Sequence, residues 1–249
     1  MKTMAAFATV MAFAFLSVPV AQAQWTGKGE AGALLSRGNA DATSANAKLD
    51  VSREVDKWKN SAFLGLLYGR NATFTTAQRI EARWQTDYKI TERMFTFGAL
   101  RGEQDKFSGF QYQATVSTGV GYKFIDNDST KLTATLGAGY RRLRPEILIK
   151  SPDGEVLDRI AQDATGDAVA SAGIDYSHRL TATTKLLDKM QIDSGTSNTS
   201  AQNDFAVQVS MTEVLALSVG YGLHYNTDPP AGSKQLDQLT TINLVYNIK

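Results

Sequence analysis

The sequence predicts an all-β protein: a closed antiparallel transmembrane β-barrel of about 12 strands, with short periplasmic turns and longer extracellular loops. Three observations carry this reading. Long runs alternate apolar and polar residues, the mark of strands with two unlike faces. The connections between runs alternate short and long. An export segment precedes the first run.

Lys2 gives the export segment its positive start. An apolar stretch follows from Met4 to Val18, broken by Pro19. Ala21-Gln22-Ala23 then has the small-x-small form of a cleavage site. Residues 1–23 are therefore expected to be a cleavable signal peptide, and 24–249 a single barrel domain in a bacterial outer membrane. No cysteine occurs, so no lipid-modified cysteine, disulfide framework, thiolate metal site or Cys nucleophile is expected.

The composition excludes other classes. Lys and Arg number 26 against 25 Asp and Glu, and loss of Lys2 with the signal brings the charge to zero. A nucleic-acid partner would need a basic excess to neutralise phosphates. Hydrophobic residues make up 43% and mean hydropathy is −0.24. Outside the signal no apolar run reaches the ~20 residues of a transmembrane helix.

Twelve candidate strands follow in order: 25–35, 42–53, 58–69, 76–88, 94–103, 110–124, 131–141, 166–178, 184–193, 204–212, 215–225 and 239–248. The clearest is 110–124. Phe110, Tyr112, Ala114, Val116, Thr118, Val120, Tyr122 and Phe124 share one face, and Gln111, Gln113, Thr115, Ser117, Gly119, Gly121 and Lys123 the other. Several runs match the roughly 9–11 residues that a tilted strand needs to cross a bilayer. Runs 58–69, 94–103 and 184–193 alternate poorly. In 94–103, Met94, Gly98 and Leu100 are read as inward-facing, which leaves Phe95 outside. Segments 142–165, 194–203 and 226–238 are read as long loops, the first and last holding Pro145, Pro152, Pro229 and Pro230.

In such a barrel the apolar face meets lipid and the polar face lines the lumen. The candidate lumen-lining residues are Lys28, Glu30, Lys48, Asp50, Arg79, Glu81, Arg83, Lys123 and His224. The candidate aromatic girdles comprise Trp25, Trp58, Trp84, Tyr88, Phe95, Tyr122, Phe124, Tyr140, Tyr176, Tyr225 and Tyr246, with Tyr140 and Tyr225 on the long-loop side beside Tyr68, Phe110 and Phe205. Amphipathic rings prefer the interface, which explains their place near strand ends. Ile242, Leu244, Tyr246 and Ile248 alternate toward the C-terminus like a signal for the barrel-assembly machinery, although Lys249 replaces the usual aromatic.

Several short motifs recur along the chain. They are Trp25-x-Gly27-x-Gly29-Glu30-x-Gly32, Gly38-Asn39, Tyr68-Gly69, Phe107-x-Gly109, Gly119-Val120-Gly121-Tyr122 and Gly137-Ala138-Gly139-Tyr140. In this order they resemble the family described as salt-induced outer-membrane proteins, a family of unknown function. The resemblance spans essentially the whole mature chain. It implies an outer-membrane barrel and supplies no reaction, cofactor or catalytic residue.

Other constellations have plain readings. The two Gly-x-Gly motifs do not complete a nucleotide-binding fingerprint, and inward glycines instead make room for lumen side chains. Asp126-Asn127-Asp128 starts like a calcium loop, but its twelfth position is Gly137, so a turn is expected. His178 and His224 are the candidate bases near neutral pH. Ser177 points away from His178, and Ser218 lies too far along the strand from His224, leaving Asp228 as a loop partner for it.

No enzyme activity, cofactor or metal is expected. The favoured role is a passive small-solute channel or an envelope-integrity protein linked to salt or osmotic stress. The alternatives are a closed structural or surface-interaction barrel, and an outer-membrane hydrolase using His224. The partners expected are outer-membrane lipid and small solutes. The residues do not set the oligomeric state.

Overall fold

A computed structural model describes residues 25–36, 42–196, 198–231 and 233–248. The export segment, the Gly38-Asn39 motif and Lys249 lie outside the described residues. The strands are β1 (Thr26–Ser36), β2 (Ala42–Val55), β3 (Trp58–Asn71), β4 (Thr75–Lys89), β5 (Met94–Asp105), β6 (Phe110–Asp126), β7 (Thr130–Lys150), β8 (Val156–Ala161), β9 (Thr165–Arg179), β10 (Thr184–Gly195), β11 (Thr199–Ser210), β12 (Leu215–Asn226) and β13 (Leu236–Ile248). Every neighbouring pair is antiparallel. β1 closes the ring on β13, from Gly27 opposite Ile248 to Ala31 opposite Leu244. Twelve strands make the barrel, and β8 is additional, paired with β7 alone.

Burial is inverted relative to a water-soluble protein. Leu64, Leu66, Ile80, Leu100, Val116, Leu136, Ile242 and Leu244 are exposed on the outside. Glu81, Arg141, Asp193, Gln202, Gln208, Ser218 and Asn243 are buried inside. Lipid supplies the missing contact for the first group, and members of the second such as Glu81, Asp193 and Gln202 pair with groups on other strands. Ring closure pairs the two end strands over Gly27–Ala31 and Leu244–Ile248, so their backbone groups are not left to the hydrocarbon there.

The short-turn end is built by one recurring device. Thr91, Asn127, Thr181 and Thr212 each accept hydrogen bonds from the backbone N–H groups two and three residues on. This side-chain mimic of a turn reverses the chain without glycine. Asp126-Asn127-Asp128 is thus a turn, with Asn127 as its acceptor. Asp56 takes a positive φ of 52° in the tight connection between β2 and β3.

Three expectations need correction. Segment 142–165 is not one loop. β7 continues to Lys150, folds back as β8, and forms a hairpin beyond the ring. Arg159 holds this hairpin down, bonding Glu146 at 2.7 Å and the Lys106 carbonyl, with its guanidinium over the Phe107 ring. Pro145 therefore lies within β7, at a register shift opposite Phe110 where the ladder is already irregular. Segment 194–203 also shrinks to the short connection 196–198, because β10 and β11 both run further than their apolar residues suggest.

The third correction concerns β5. Phe95 and Phe97 face inward and are buried, whereas Met94 and Leu100 are exposed outside. Phe95 is therefore not a girdle residue. The reason lies opposite it on β6 and β7. A Cβ at Gly121 would collide with the Phe95 ring, and one at Gly137 would lie 3.1 Å from the Phe97 ring. The inward glycines thus provide the space that the two rings fill. Phe110 is likewise buried rather than lipid-facing.

Of the remaining girdle candidates, Trp58, Trp84, Tyr122, Phe124, Tyr140, Tyr225 and Tyr246 are exposed on the outside. Tyr88 packs on Trp58 with ring centroids 4.9 Å apart, and Tyr176 stacks on His178. Trp25 precedes β1 and is half-buried.

Gly121→Val overpacks the glycine face and is expected to lower stability by about 1–3 kcal/mol. Adding Phe95→Ala should return part of that loss. Urea unfolding in lipid vesicles measures both, and strictly additive losses would contradict the packing.

Candidate functional site in the lumen

The inward face of every strand feeds one charged interior. Alternation on β4 directs Arg79, Glu81, Arg83, Gln85 and Asp87 inward, and alternation on β5 does the same for Arg101, Glu103 and Asp105. Glu81 is 2% exposed and is the centre of this layer. Arg101 Nε donates to it at 3.0 Å, Arg83 Nε lies at 3.3 Å and Arg79 Nη2 at 3.7 Å. One carboxylate thus faces three guanidinium groups.

Arg101 links this layer to the far wall. It bonds Glu103 on its own strand at 2.9 Å. It also donates to Gln202 of β11 at 2.8 Å and lies 3.7 Å from Asp193 of β10. Asp193 is held in place by Ser171 at 2.6 Å and Gln191 at 3.2 Å. The excess positive charge around Glu81 is thereby balanced by acids across the lumen. Beside it, Arg141 of β7 is 2% exposed and bonds Asp167 and the Asn198 carbonyl. Its Nε and Nη1 have no protein partner among the described residues. They border a cavity of about 30 Å³, large enough to hold water.

The lumen is more open away from this layer. Lys48 reaches Asp204 of β11 at 3.7 Å. Lys189 of β10 lies 3.4 Å from both Asp50 of β2 and Asp175 of β9. Lys28 pairs with Glu30 at 2.7 Å, and Asn243 donates to the same carboxylate. Arg83 stacks over the Phe63 ring at 4.1 Å. Around these groups lie cavities of about 480, 290 and 240 Å³. Lys123, paired with Asp126 at 3.1 Å, lines the first of them at the short-turn mouth.

All nine candidate lumen residues thus have inward positions, but they do not act as one cluster. Arg79, Glu81, Arg83 and His224 meet at mid-lumen. Lys28 and Glu30, Lys48 and Asp50 line the β1–β2 wall, and Lys123 is separate at the mouth. Pattern reading missed Arg101, Asp193, Gln202, Asp204 and Lys189. The signal was available: Arg101-x-Glu103-x-Asp105 and Lys189-x-Gln191-x-Asp193 alternate in polarity more clearly than their strands do in hydrophobicity.

His224 is engaged by an arginine. The Arg79 guanidinium lies 3.1 Å from both of its ring nitrogens. Asp228, its expected loop partner, gives its backbone N–H to Asn198 instead. His178 contacts Thr130 at 2.8 Å on the outer face. Among the described residues, no group of three His, Asp or Glu side chains is placed to hold a metal.

Removing Glu81 takes the shared counter-charge from three half-buried guanidinium groups. Glu81→Ala is expected to cost about 3–5 kcal/mol, the range for breaking a buried ion pair. Glu81→Ala combined with Arg101→Met should cost less than the single change. Denaturant unfolding in vesicles gives both values, and a loss under 1 kcal/mol for Glu81→Ala would count against the network.

The uncharacterized protein YdiY of Escherichia coli (strain K12) is 21% identical over 236 residues, covering 92% of this chain and 85% of that protein. Among solved structures, the NanC porin matches with a TM-score of 0.48 at 12% identity, over 90% of this chain and 99% of that one. An outer-membrane channel from Pseudomonas putida F1 matches with a TM-score of 0.49 at 9% identity, over 94% and 98% of the two chains. Residues 29–248 match a family described as protein of unknown function, DUF481, and the chain belongs to that family.

Proposed function

We propose that the chain is an outer-membrane channel for small polar solutes, narrowed at mid-height by ion pairs that cross its lumen. One observation carries the reading. The three larger cavities adjoin one another through shared walls: Asp204 lines all three, Arg83 borders two, and Phe63 borders two. The short turns face the periplasm and the β7–β8 hairpin faces outward, as in bacterial barrels of this kind. The barrel-assembly machinery inserts it, reading the alternation of β13.

The lining favours neither ion sign strongly. Lys28, Lys48, Arg83 and Lys189 alternate with Glu30, Asp50, Asp175 and Asp204 around the 290 Å³ cavity. A single-sign ring would select ions sharply, and mixed pairs do not. The same pairs give a link to salt stress. Attraction between charges in a wet lumen is screened over about 10 Å at 0.1 M salt and about 3 Å at 1 M. Higher salt therefore loosens the Lys48–Asp204 and Lys189–Asp50 bridges and widens the passage.

A closed structural barrel is the second reading, and Arg101's span from β5 to β10 and β11 favours it. Single-channel recording of the refolded barrel decides between them. The channel reading expects small discrete steps, and conductance divided by bulk conductivity should rise with KCl. Asp204→Asn should move the reversal potential toward anions, and Lys189→Met toward cations. A correctly folded barrel with no steps and no solute flux leaves only the closed reading.

A further inference from the structure

We infer that the outer wall formed by β10 and β11 is the contact surface for a second copy of this chain. The observation is a carboxylate on the wrong face. Lys189 points into the lumen toward Asp50 and Asp175, so Asp188 beside it on the strand points outward. Its cross-strand neighbours are Tyr176 and Phe205, both on the outer face. It lies four positions on from Thr184 at the end of β10, which places it roughly 10 Å along the barrel axis. That is inside an apolar band about 25 Å tall. Carboxylates facing hydrocarbon are rare, and a partner is the usual reason for one.

Asp188 already holds one partner. Asn203 of β11, which also faces outward, donates its side-chain N–H to Asp188 at 2.6 Å. The pair is incomplete on both sides. A carboxylate accepts several hydrogen bonds and the amide of Asn203 carries a second N–H. This combination is self-complementary. A two-fold axis along the membrane normal brings the same wall of two copies together at the same depth. Asn203 of each copy then donates to Asp188 of the other, and the four groups satisfy one another away from lipid.

The surrounding surface permits the approach. Further along β10, Ile192 is flanked by alanine on both neighbouring strands, Ala172 and Ala201. Met190 and Phe205 are exposed beside the polar pair. The opposite wall, around Leu64 and Leu66 of β3, presents exposed leucine in place of such a pair. It serves as the control surface.

The chain contains no cysteine, so single cysteines report proximity without background. Met190→Cys and, separately, Leu64→Cys are introduced into the full-length barrel in lipid vesicles and in native membranes. Heat-modifiable migration verifies the fold, and mild oxidant is added. Met190→Cys is expected to yield a disulfide-linked species of twice the chain mass, at least tenfold more than Leu64→Cys. Adding Asp188→Leu to Met190→Cys should lower that yield at least tenfold, while Asp188→Asn, which keeps an acceptor, should retain most of it. Four results overturn the inference. They are equal linking at both walls, no linking at Met190→Cys, an unchanged yield with Asp188→Leu, or a product containing a different protein.

Discussion

The constraint on which this structure depends is that hydrocarbon offers nothing to a backbone N–H or C=O group. Each strand must find a neighbour on both sides, so the sheet has to close, and β1 does this by pairing with β13. Closure with twelve strands then sets the size of the interior. Strands about 4.8 Å apart and tilted about 40° make a ring roughly 24 Å across between backbones. Side chains from both walls occupy much of that width. The interior is neither a packed core nor an open pipe.

Filling an interior of this size with charge has consequences. An ionised group there has too little water for full solvation, so it needs counter-charges from other strands. Glu81 is the extreme case, facing Arg79, Arg83 and Arg101. Arg101 carries the surplus to Asp193 and Gln202, which ties β5 to β10 and β11. Long guanidinium side chains suit this role, because a planar fork can serve several acceptors. Where the chain places aromatic rings inside instead, it needs glycine opposite, and Phe95 and Phe97 lie against Gly121 and Gly137. The lumen is thus filled around Glu81, Arg101 and Arg141 and keeps cavities elsewhere, the largest walled by residues of β2–β7 and β9–β11 at the short-turn mouth.

The outer surface follows the same accounting with the signs reversed. Apolar groups cost nothing against lipid, and a charge is the anomaly. Among the mid-strand positions facing outward, Asp188 stands out because Lys189 beside it is committed to Asp50 and Asp175 inside. The two neighbours on one strand serve different solvents, which is the direct result of a period of two.

That period explains what was legible in the sequence. Strands such as 110–124 and 215–225 stated both their existence and their facing, because lipid and lumen act on alternate residues. The ring of twelve, its short turns and the inward positions of Lys28, Glu81 and Arg83 follow from this local rule. β5 was misread because Phe95 looked like a girdle aromatic, and only the glycines of β6 and β7 make an inward Phe possible. The extension of β7 into a hairpin was hidden by Pro145, which reads as a loop residue until Phe110 is opposite it at a register shift. Local pattern alone therefore determined the class, the twelve barrel strands and the two faces of the strands that alternate clearly. The tertiary structure decided which charges meet, because ion pairs such as Arg101–Asp193 and Lys189–Asp50 join residues far apart in the chain. Their meeting depends on the ring's closure and width, which no window of neighbouring residues contains.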